Sequence, residues 1–130
     1  MTQVHPFARV LLLSAAVVGI AEVTHAASGT WTQFTGGSAS GSWNVAGNWQ
    51  DSEIADGADF TADFSTLNIS GTGTSSNQIS LDEPRTIGHI VFGDTDTSSA
   101  SAYNINTGTG TNVLTLAGTA PSITVNSMGG

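Results

Sequence analysis

Residues 79–92 read ISLDEPRTIGHIVF, and residues 113–125 read VLTLAGTAPSITV. Within both stretches, apolar side chains alternate with polar ones over short runs, which is typical of half-buried β-strands. Similar runs occupy 60–69 and 103–105, and loops rich in Gly, Ser, Thr, Asn and Asp separate all of them. Such loop residues supply turns. No stretch after Ala27 has apolar residues at helical spacing, so the sequence predicts an all-β protein.

The spacing of these runs leaves two all-β architectures open. Their centres recur every roughly nine to fifteen residues, which suits the successive faces of a parallel β-helix or the strands of a small β-sandwich or jelly roll. No Asn-Gly or Asp-Gly pair lies between any two of the runs, and this weakens the case for tight hairpins. We therefore predict the start of a parallel β-helix (a solenoid), with the sandwich as the alternative.

Composition excludes several functional classes. The chain has 130 residues, two of them basic and ten acidic, a formal net charge of −8 and no cysteine. Nucleic-acid affinity comes mainly from Lys and Arg, so we expect no nucleic-acid partner. The lack of cysteine excludes a disulfide scaffold, a thiolate zinc site and a cysteine nucleophile. The length favours one domain.

The first 26 residues have the order of a secretory signal peptide. Arg9 precedes the apolar run 10–20 (VLLLSAAVVGI), and small residues follow at Ala26 and Ala27. A membrane-spanning helix needs about 20 apolar residues, and this run is shorter. We predict cleavage after Ala26, with Ala27 as the alternative, and a secreted mature chain with no membrane span.

The tryptophans are clustered at the start of the mature chain. The three are Trp31, Trp43 and Trp49, which fall within nineteen positions. They could cover the first coil of a solenoid, or they could form a platform on which sugar rings stack; the first role is favoured. We assign 27–60 to a Trp-containing cap segment and 61–130 to β-strand coils that are incomplete at the C-terminal end.

An alternating acidic loop resembles half of a calcium site. Asp94, Asp96 and Ser98 alternate, but Ser99 and Ile105 stand where an EF-hand needs Gly and Glu. Turn chemistry is the favoured interpretation. We predict no metal site and no cofactor.

Two further groups of charged residues invite a catalytic reading. Paired carboxylates can hydrolyse glycosides, but a solvated loop is the simpler interpretation of the first group. A basic residue can abstract a proton in a lyase, but a local ion pair is favoured for the second. We expect no catalytic residues and no enzyme activity. The groups are Asp51, Glu53, Asp56 and Asp59, and then Asp82, Glu83, Arg85 and His89.

Several short motifs follow one another along the mature chain. They are Trp31…Trp43…Asn48-Trp49, then Leu81-Asp82…Pro84-Arg85-Thr86-Ile87-Gly88…Ile90…Phe92-Gly93-Asp94, then Leu114-Thr115-Leu116…Gly118, and then Ile123-Thr124-Val125. This order resembles the N-terminal passenger segment of bacterial autotransporter-associated β-strand repeat proteins. The resemblance implies a right-handed parallel β-helix, secretion, and a bacterium with an outer membrane. It implies no catalytic residue, because the family has none in common.

Three hypotheses follow. The leading one is a secreted structural or adhesive β-solenoid segment at the cell surface or in the extracellular matrix, where a surface glycan or the matrix is the partner. The second is a glycan-binding β module that uses Trp31, Trp43 and Trp49. The third, by analogy of fold, is a β-helix polysaccharide lyase or hydrolase. We also expect end-to-end self-association, because nothing follows to cover Leu114, Leu116, Ile123 and Val125.

Overall fold

The computed structural model describes residues 25–73, 75–96 and 98–129. These residues form short strands and turns, with two single-turn 3₁₀ segments (Ala46–Asn48 and Gln50–Ser52) and no α-helix. Nearly all of the predicted signal peptide lies outside the described residues. The strands are β1 (Gly29–Thr30), β2 (Gly41–Ser42), β3 (Gly57–Phe64), β4 (Gln78–Ser80), β5 (Arg85–Phe92), β6 (Asn104–Asn106), β7 (Leu114–Leu116) and β8 (Ser122–Val125).

The strands stack in parallel as a β-solenoid of about three turns. One sheet has the order β1-β3-β5, and β7 and β8 both pair with β5 as its last level. The other sheet has the order β2-β4-β6. Each of the first three turns adds one strand to each sheet (β1 and β2, β3 and β4, β5 and β6), whereas β7 and β8 both extend the first sheet. Every ladder between these strands is parallel. The parallel solenoid is therefore confirmed, and the sandwich alternative is wrong because its sheets would be antiparallel.

The parallel register stacks like side chains into columns inside the solenoid. Phe64 pairs with Phe92, and Phe92 pairs with Val125 on the next level. The Phe64 and Phe92 rings are stacked with centroids 5.6 Å apart, and Trp31 packs on the other side of Phe64 at the same distance. A neighbouring column consists of Ala62, Ile90 and Ile123. Each coil thus buries its apolar side chains against the next coil.

A buried asparagine joins three levels of the stack. Asn77 is fully buried, and its Oδ1 accepts the Ala39 N–H at 2.9 Å. Its Nδ2 donates to the carbonyls of Ser70 at 3.1 Å and Ala102 at 2.9 Å. Since Ala39 precedes β2 and Ala102 precedes β6, one side chain satisfies main-chain groups of the coils below and above it.

A strap of main chain links the second coil to the last one. Asp59 interrupts β3 with a positive φ of 68°, and its N–H donates to the Ala117 carbonyl at 3.2 Å. The Asp59 carboxylate also accepts the Thr119 N–H. The strap passes directly over Gly88 of β5, where a Cβ would lie only 2.7 Å from the Asp59 carbonyl carbon. Glycine at position 88 is what allows this approach.

The predicted strands agree with the observed ones in most places. Five predicted runs match β4 to β8 with ends shifted by at most one residue: 79–81, 86–92, 103–105, 113–116 and 123–125. The strand observed where 60–69 was predicted begins earlier, at Gly57, and stops at Phe64. The two-residue strands β1 and β2 were not predicted, because two residues show no alternation. The boundary drawn at residue 60 between cap and coils falls inside β3.

Candidate functional site: a tryptophan cap and an open end face

The three indole rings fill the interior of the first coil. Trp31 and Trp43 are fully buried and Trp49 is 2% exposed. Each ring N–H donates to a main-chain carbonyl: Trp31 to Ala39 at 2.9 Å, Trp43 to Ala55 at 2.8 Å, and Trp49 to Trp43 at 2.8 Å. Trp31 and Trp49 meet edge to face, with centroids 5.0 Å apart. A sugar could stack on these rings only if the first coil opened.

The chain after β2 returns to cover the free edge of β1. Residues 48–56 run antiparallel to it, and Ala27 and Asp56 exchange two main-chain hydrogen bonds of 2.9 and 3.0 Å. Farther along, the Thr32 N–H donates to the Asn48 carbonyl at 2.9 Å. The N-terminal edge of this sheet is therefore occupied, and it cannot pair with another chain as an open edge could.

Side chains of the same returning segment donate hydrogen bonds to main-chain carbonyls at and just after β2. Asn48 Nδ2 donates to the Ser42 carbonyl at 2.8 Å, next to the bond from Trp49 to Trp43. Packing is so tight that a Cβ at Gly29 would lie 2.9 Å from the Trp49 ring and would collide with the Glu53 carbonyl. We call residues 27–56, with the three tryptophans inside them, the tryptophan cap.

Arg85 ties the cap to the third coil. It is 6% exposed, and its Nη1 lies 3.2 Å from Asp56 Oδ2. Its Nε and Nη2 donate to Asn44 Oδ1 at 3.2 and 2.8 Å, and Nη2 also pairs with Glu83. The predicted ion pair between Arg85 and an acidic neighbour is present, and that neighbour is Glu83. Arg85 also bonds to two residues of the cap that are distant in sequence, Asp56 and Asn44. The guanidinium acts as a corner clamp in this arrangement.

The other residues considered for catalysis bond elsewhere. His89 Nδ1 lies 2.9 Å from Ser122 Oγ on the next strand of the sheet. Asp82 Oδ1 accepts the Thr109 N–H at 3.2 Å. Among the described residues, no hydrogen bond or ion pair joins Asp82, Arg85 and His89 to one another.

Asp94 organises the loop that the sequence suggested as half of a calcium site. It is 8% exposed, and its Oδ1 accepts the N–H groups of Ile69 at 3.1 Å and Asp96 at 2.9 Å. Its Oδ2 accepts the Ser101 hydroxyl at 2.6 Å. The carboxylate is thus used by the protein's own donors.

Asp96 has a similar local role. Hydrogen bonds from the Ser98 and Ser99 hydroxyls, and then from the Ser98 N–H, lower the pKa of Asp96 to about 2. In the described part of the chain, no three His, Asp or Glu side chains lie close enough to hold a metal ion together.

The acidic stretch of the sequence divides into two pairs. Asp51 and Glu53 are exposed, whereas Asp56 and Asp59 make the structural bonds described above.

The described residues include no helix that is both long and apolar enough to cross a lipid bilayer.

At the opposite end of the described coils, the last strands carry exposed apolar side chains. Leu116 is 39% exposed, Ile123 57% and Val125 63%, although each continues an inward column. They pair with Ile87, Ile90 and Phe92, of which the two isoleucines are buried. No further strand pairs with β7 or β8 among the described residues. We call Leu116, Ile123 and Val125, with the cavity beside them, the open end face.

A cavity of about 210 Å³ opens in this face. Its wall includes Tyr103, whose phenol oxygen is buried and has no hydrogen-bond partner within the described structure. Burial, and then the negative charges of Asp94 and Asp63, raise the pKa of Tyr103 well above its ordinary value. The lining residues are Phe92, Ser101, Ala102, Tyr103, Val125 and Met128.

Comparison with known proteins adds no relative. No protein-family model matches the chain, and no curated protein or solved structure is significantly similar to it. The family resemblance read from the motifs therefore stays a prediction.

Sequence reasoning missed the residues that hold the coils together. Asn44, Asn77 and Asp59 bond partners about 25 to 60 positions away, as the long-range character of β-solenoid packing requires. No local motif marks them. The one usable signal is Gly88, a glycine inside a strand pattern, which indicates close approach of another backbone segment.

Proposed function

We propose that this protein is a structural β-solenoid segment of a secreted bacterial protein that adheres at the cell surface or in the extracellular matrix. The tryptophan cap is its N-terminal end, and the coils form a stiff stalk. The supporting observation is that all three indole rings are buried and all three ring N–H groups are bonded to main-chain carbonyls. These aromatic groups stabilise the fold and present no face to a ligand.

The charged side chains support the same role. Arg85, Asp56 and Asp94 are bonded within or between coils, so their charges are neutralised or satisfied inside the scaffold. A β-helix lyase or hydrolase would need such groups exposed together in a groove. A structural stalk instead uses such charged groups to hold its coils together, as Arg85, Asp56 and Asp94 do here.

Export is the first part of this proposal to test. The full chain is expressed in a bacterium with an outer membrane, the cells are fractionated, and the N-terminus is determined by mass spectrometry. We expect an N-terminus at Ala27 or Ser28 outside the cytoplasm. A variant with Leu12→Arg and Val17→Arg in the apolar run should stay in the cytoplasm uncleaved. Intact Met1–Gly130 in the soluble cytoplasm of cells expressing the unaltered chain would contradict secretion.

The structural role is tested against the alternatives by activity and binding. The secreted chain is incubated with polysaccharides, esters and peptides, and is applied to an array of oligosaccharides and to matrix-coated surfaces. We expect no turnover, no saturable binding to soluble oligosaccharides, and retention on a coated or cellular surface. Saturable turnover that disappears in folded Arg85→Lys or His89→Gln variants would instead support the enzyme. Sugar binding that changes tryptophan fluorescence would support the glycan module.

A further inference from the structure

We propose that the signal peptide is cut at the bond between Ala26 and Ala27, and that the ammonium group freed on Ala27 then becomes part of the tryptophan cap. This inference rests on the proposed secretion, and it adds the bond that is cut and a structural role for the new terminus. Hydrolysis adds one water molecule across that bond. The new carboxylate leaves with residues 1–26, and the amine that stays on Ala27 carries a proton at neutral pH.

Ala27 is the first described residue that is hydrogen-bonded to the fold. His25 and Ala26 are exposed, and neither makes a hydrogen bond with another described residue. The Ala27 N–H donates to the Asp56 carbonyl at 2.9 Å, and the Ala27 carbonyl accepts the Asp56 N–H at 3.0 Å. One residue further on, Ser28 Oγ accepts the Thr61 N–H at 3.0 Å. The cap therefore begins at Ala27, immediately after the bond that is cut.

The two candidate cuts have different effects on the edge of the cap. A cut after Ala26 keeps both hydrogen bonds between Ala27 and Asp56. A cut after Ala27 would remove both bonds and would leave the N–H and carbonyl groups of Asp56 without these partners. The geometry of the cap therefore favours the cut after Ala26.

The sequence before the cut favours the same bond. A signal-peptide cleavage site has small residues at the last and the third-last position before the cut. For a cut after Ala26 these positions hold Ala26 and Thr24, whereas a cut after Ala27 would place the larger His25 at the third-last position. The pattern of the signal peptide and the hydrogen bonds of the cap thus select one bond independently.

Electrostatics favours a cation at the position of the new terminus. Before the cut, the group that donates to the Asp56 carbonyl is a neutral peptide N–H. After the cut it is an ammonium, and hydrogen bonds from charged donors are shorter and stronger than those from neutral ones. The segment that receives it carries four acidic residues between Asp51 and Asp59 and no basic residue. Its negative charge attracts the new positive charge.

The new terminus can be followed by its chemistry, because the sequence contains no lysine. The α-amine of Ala27 is then the single primary amine of the mature chain. An acetylating N-hydroxysuccinimide ester therefore reports this one amine. The rate of acetylation distinguishes a terminus that is bonded to Asp56 from one that is free in solution.

The test uses the full chain, expressed in a bacterium with an outer membrane and recovered from outside the cytoplasm. We expect mass spectrometry to place its N-terminus at Ala27 and not at Ser28. The folded chain should be acetylated at least about tenfold more slowly than the chain in guanidinium chloride, because reaction requires local opening of the cap edge. The matched control is Val45→Lys, since Val45 is 50% exposed on the cap. The added lysine should show no such protection.

Deletion of Ala27 provides a second measurement. It keeps Thr24 and Ala26 before the cut and makes Ser28 the new N-terminus. The Ser28 amine should be acetylated as fast in the folded chain as in the unfolded one. The melting temperature should fall by about 4–8 °C, the shift that losing one or two hydrogen bonds produces in a domain of this size.

The outcomes separate this proposal from secretion itself. An exported chain that begins at Ser28, an Ala27 amine that reacts as readily as the added lysine in Val45→Lys, or an unchanged melting temperature after the deletion would each overturn the proposal and leave secretion intact. If the deletion variant does not fold, the acetylation rate of the unaltered chain decides. Intact Met1–Gly130 in the soluble cytoplasm would contradict secretion, and this proposal with it.

Discussion

Trp49 closes the first coil over Trp31. The two residues form an antiparallel bridge through their main chains, and their rings meet at an interplanar angle of 89° with centroids 5.0 Å apart. The same contact covers the edge of β1 and the aromatic end of the Trp31–Phe64–Phe92 column. A solenoid whose first level is closed in this way needs no preceding coil at that end.

The close fit at Gly29 makes the cap sensitive to one methyl group. Gly29→Ala should lower the free energy of unfolding by about 1–3 kcal/mol, because the new Cβ would collide with the Glu53 carbonyl and lie 2.9 Å from the Trp49 ring. The control is Gly47→Ala, where no atom lies within 4 Å of the new Cβ. Urea denaturation followed by tryptophan fluorescence measures both variants. Equal stability of the two would show that the cap is loosely packed.

The bonds of the Arg85 guanidinium to the cap predict a large loss of stability when Arg85 is replaced and a small one when its neighbour Glu83 is replaced. Arg85→Met should cost about 2–4 kcal/mol, since it leaves Asp56 and Asn44 without their cationic partner. Glu83→Gln should change stability by no more than about 0.5 kcal/mol, because Glu83 is 49% exposed. Thermal melts followed by circular dichroism give the comparison. If Arg85→Met melts like the unaltered chain, the clamp contributes nothing.

Asn77 should be among the least replaceable polar residues. Asn77→Ala removes the partners of the Ala39 N–H and of the Ser70 and Ala102 carbonyls, at about 1–3 kcal/mol for each group left unsatisfied. We expect a loss of at least about 3 kcal/mol, or failure to fold. Asn68→Ala, at an exposed loop position, should stay within about 0.5 kcal/mol. Comparable denaturation midpoints for the two variants would contradict the bridging role.

The raised pKa of Tyr103 predicts that the folded protein loses stability above about pH 10. An unfolded chain ionises tyrosine near pH 10, whereas the folded pKa is higher because the phenol is buried near Asp94 and Asp63. The contribution of this pKa difference to the free energy of unfolding is complete below about pH 10. It is lost as the pH rises further, because the unfolded state then binds fewer protons than the folded state. Tyr103 is the only tyrosine, so phenolate absorbance reports it alone. The absorbance should rise only together with loss of the circular dichroism signal.

The matched variant separates the phenol from the ring. Tyr103→Phe keeps the packing and removes a buried hydroxyl that has no hydrogen-bond partner among the described residues, so stability at neutral pH should be unchanged or higher by up to about 1 kcal/mol. Its stability should also fall less steeply above pH 10. Ionisation of Tyr103 near pH 10 in a protein that is still folded would contradict its burial.

Local pattern was sufficient for most of the strands, and it favoured the solenoid over the sandwich. Alternation in 86–92 and 123–125 predicted β5 and β8, and the missing hairpin signals favoured parallel stacking. Pattern was not sufficient for the contacts between coils. The partners of Asn77 lie up to 38 positions away, and the clamp at Arg85 reaches back 41 positions to Asn44. Those contacts depend on the register of whole coils, which no short window of sequence contains.

The most direct test of the central claim, that the tryptophans close the scaffold and do not bind ligands, is quenching of tryptophan fluorescence by acrylamide. It is measured on the folded chain, with and without a mixture of oligosaccharides, and on the chain in guanidinium chloride. Because the three indoles are at most 2% exposed, the account predicts blue-shifted emission, quenching far weaker than in the unfolded chain, and no change with sugars. Red-shifted emission that acrylamide quenches as readily as in the unfolded chain, or that sugars protect, would contradict it.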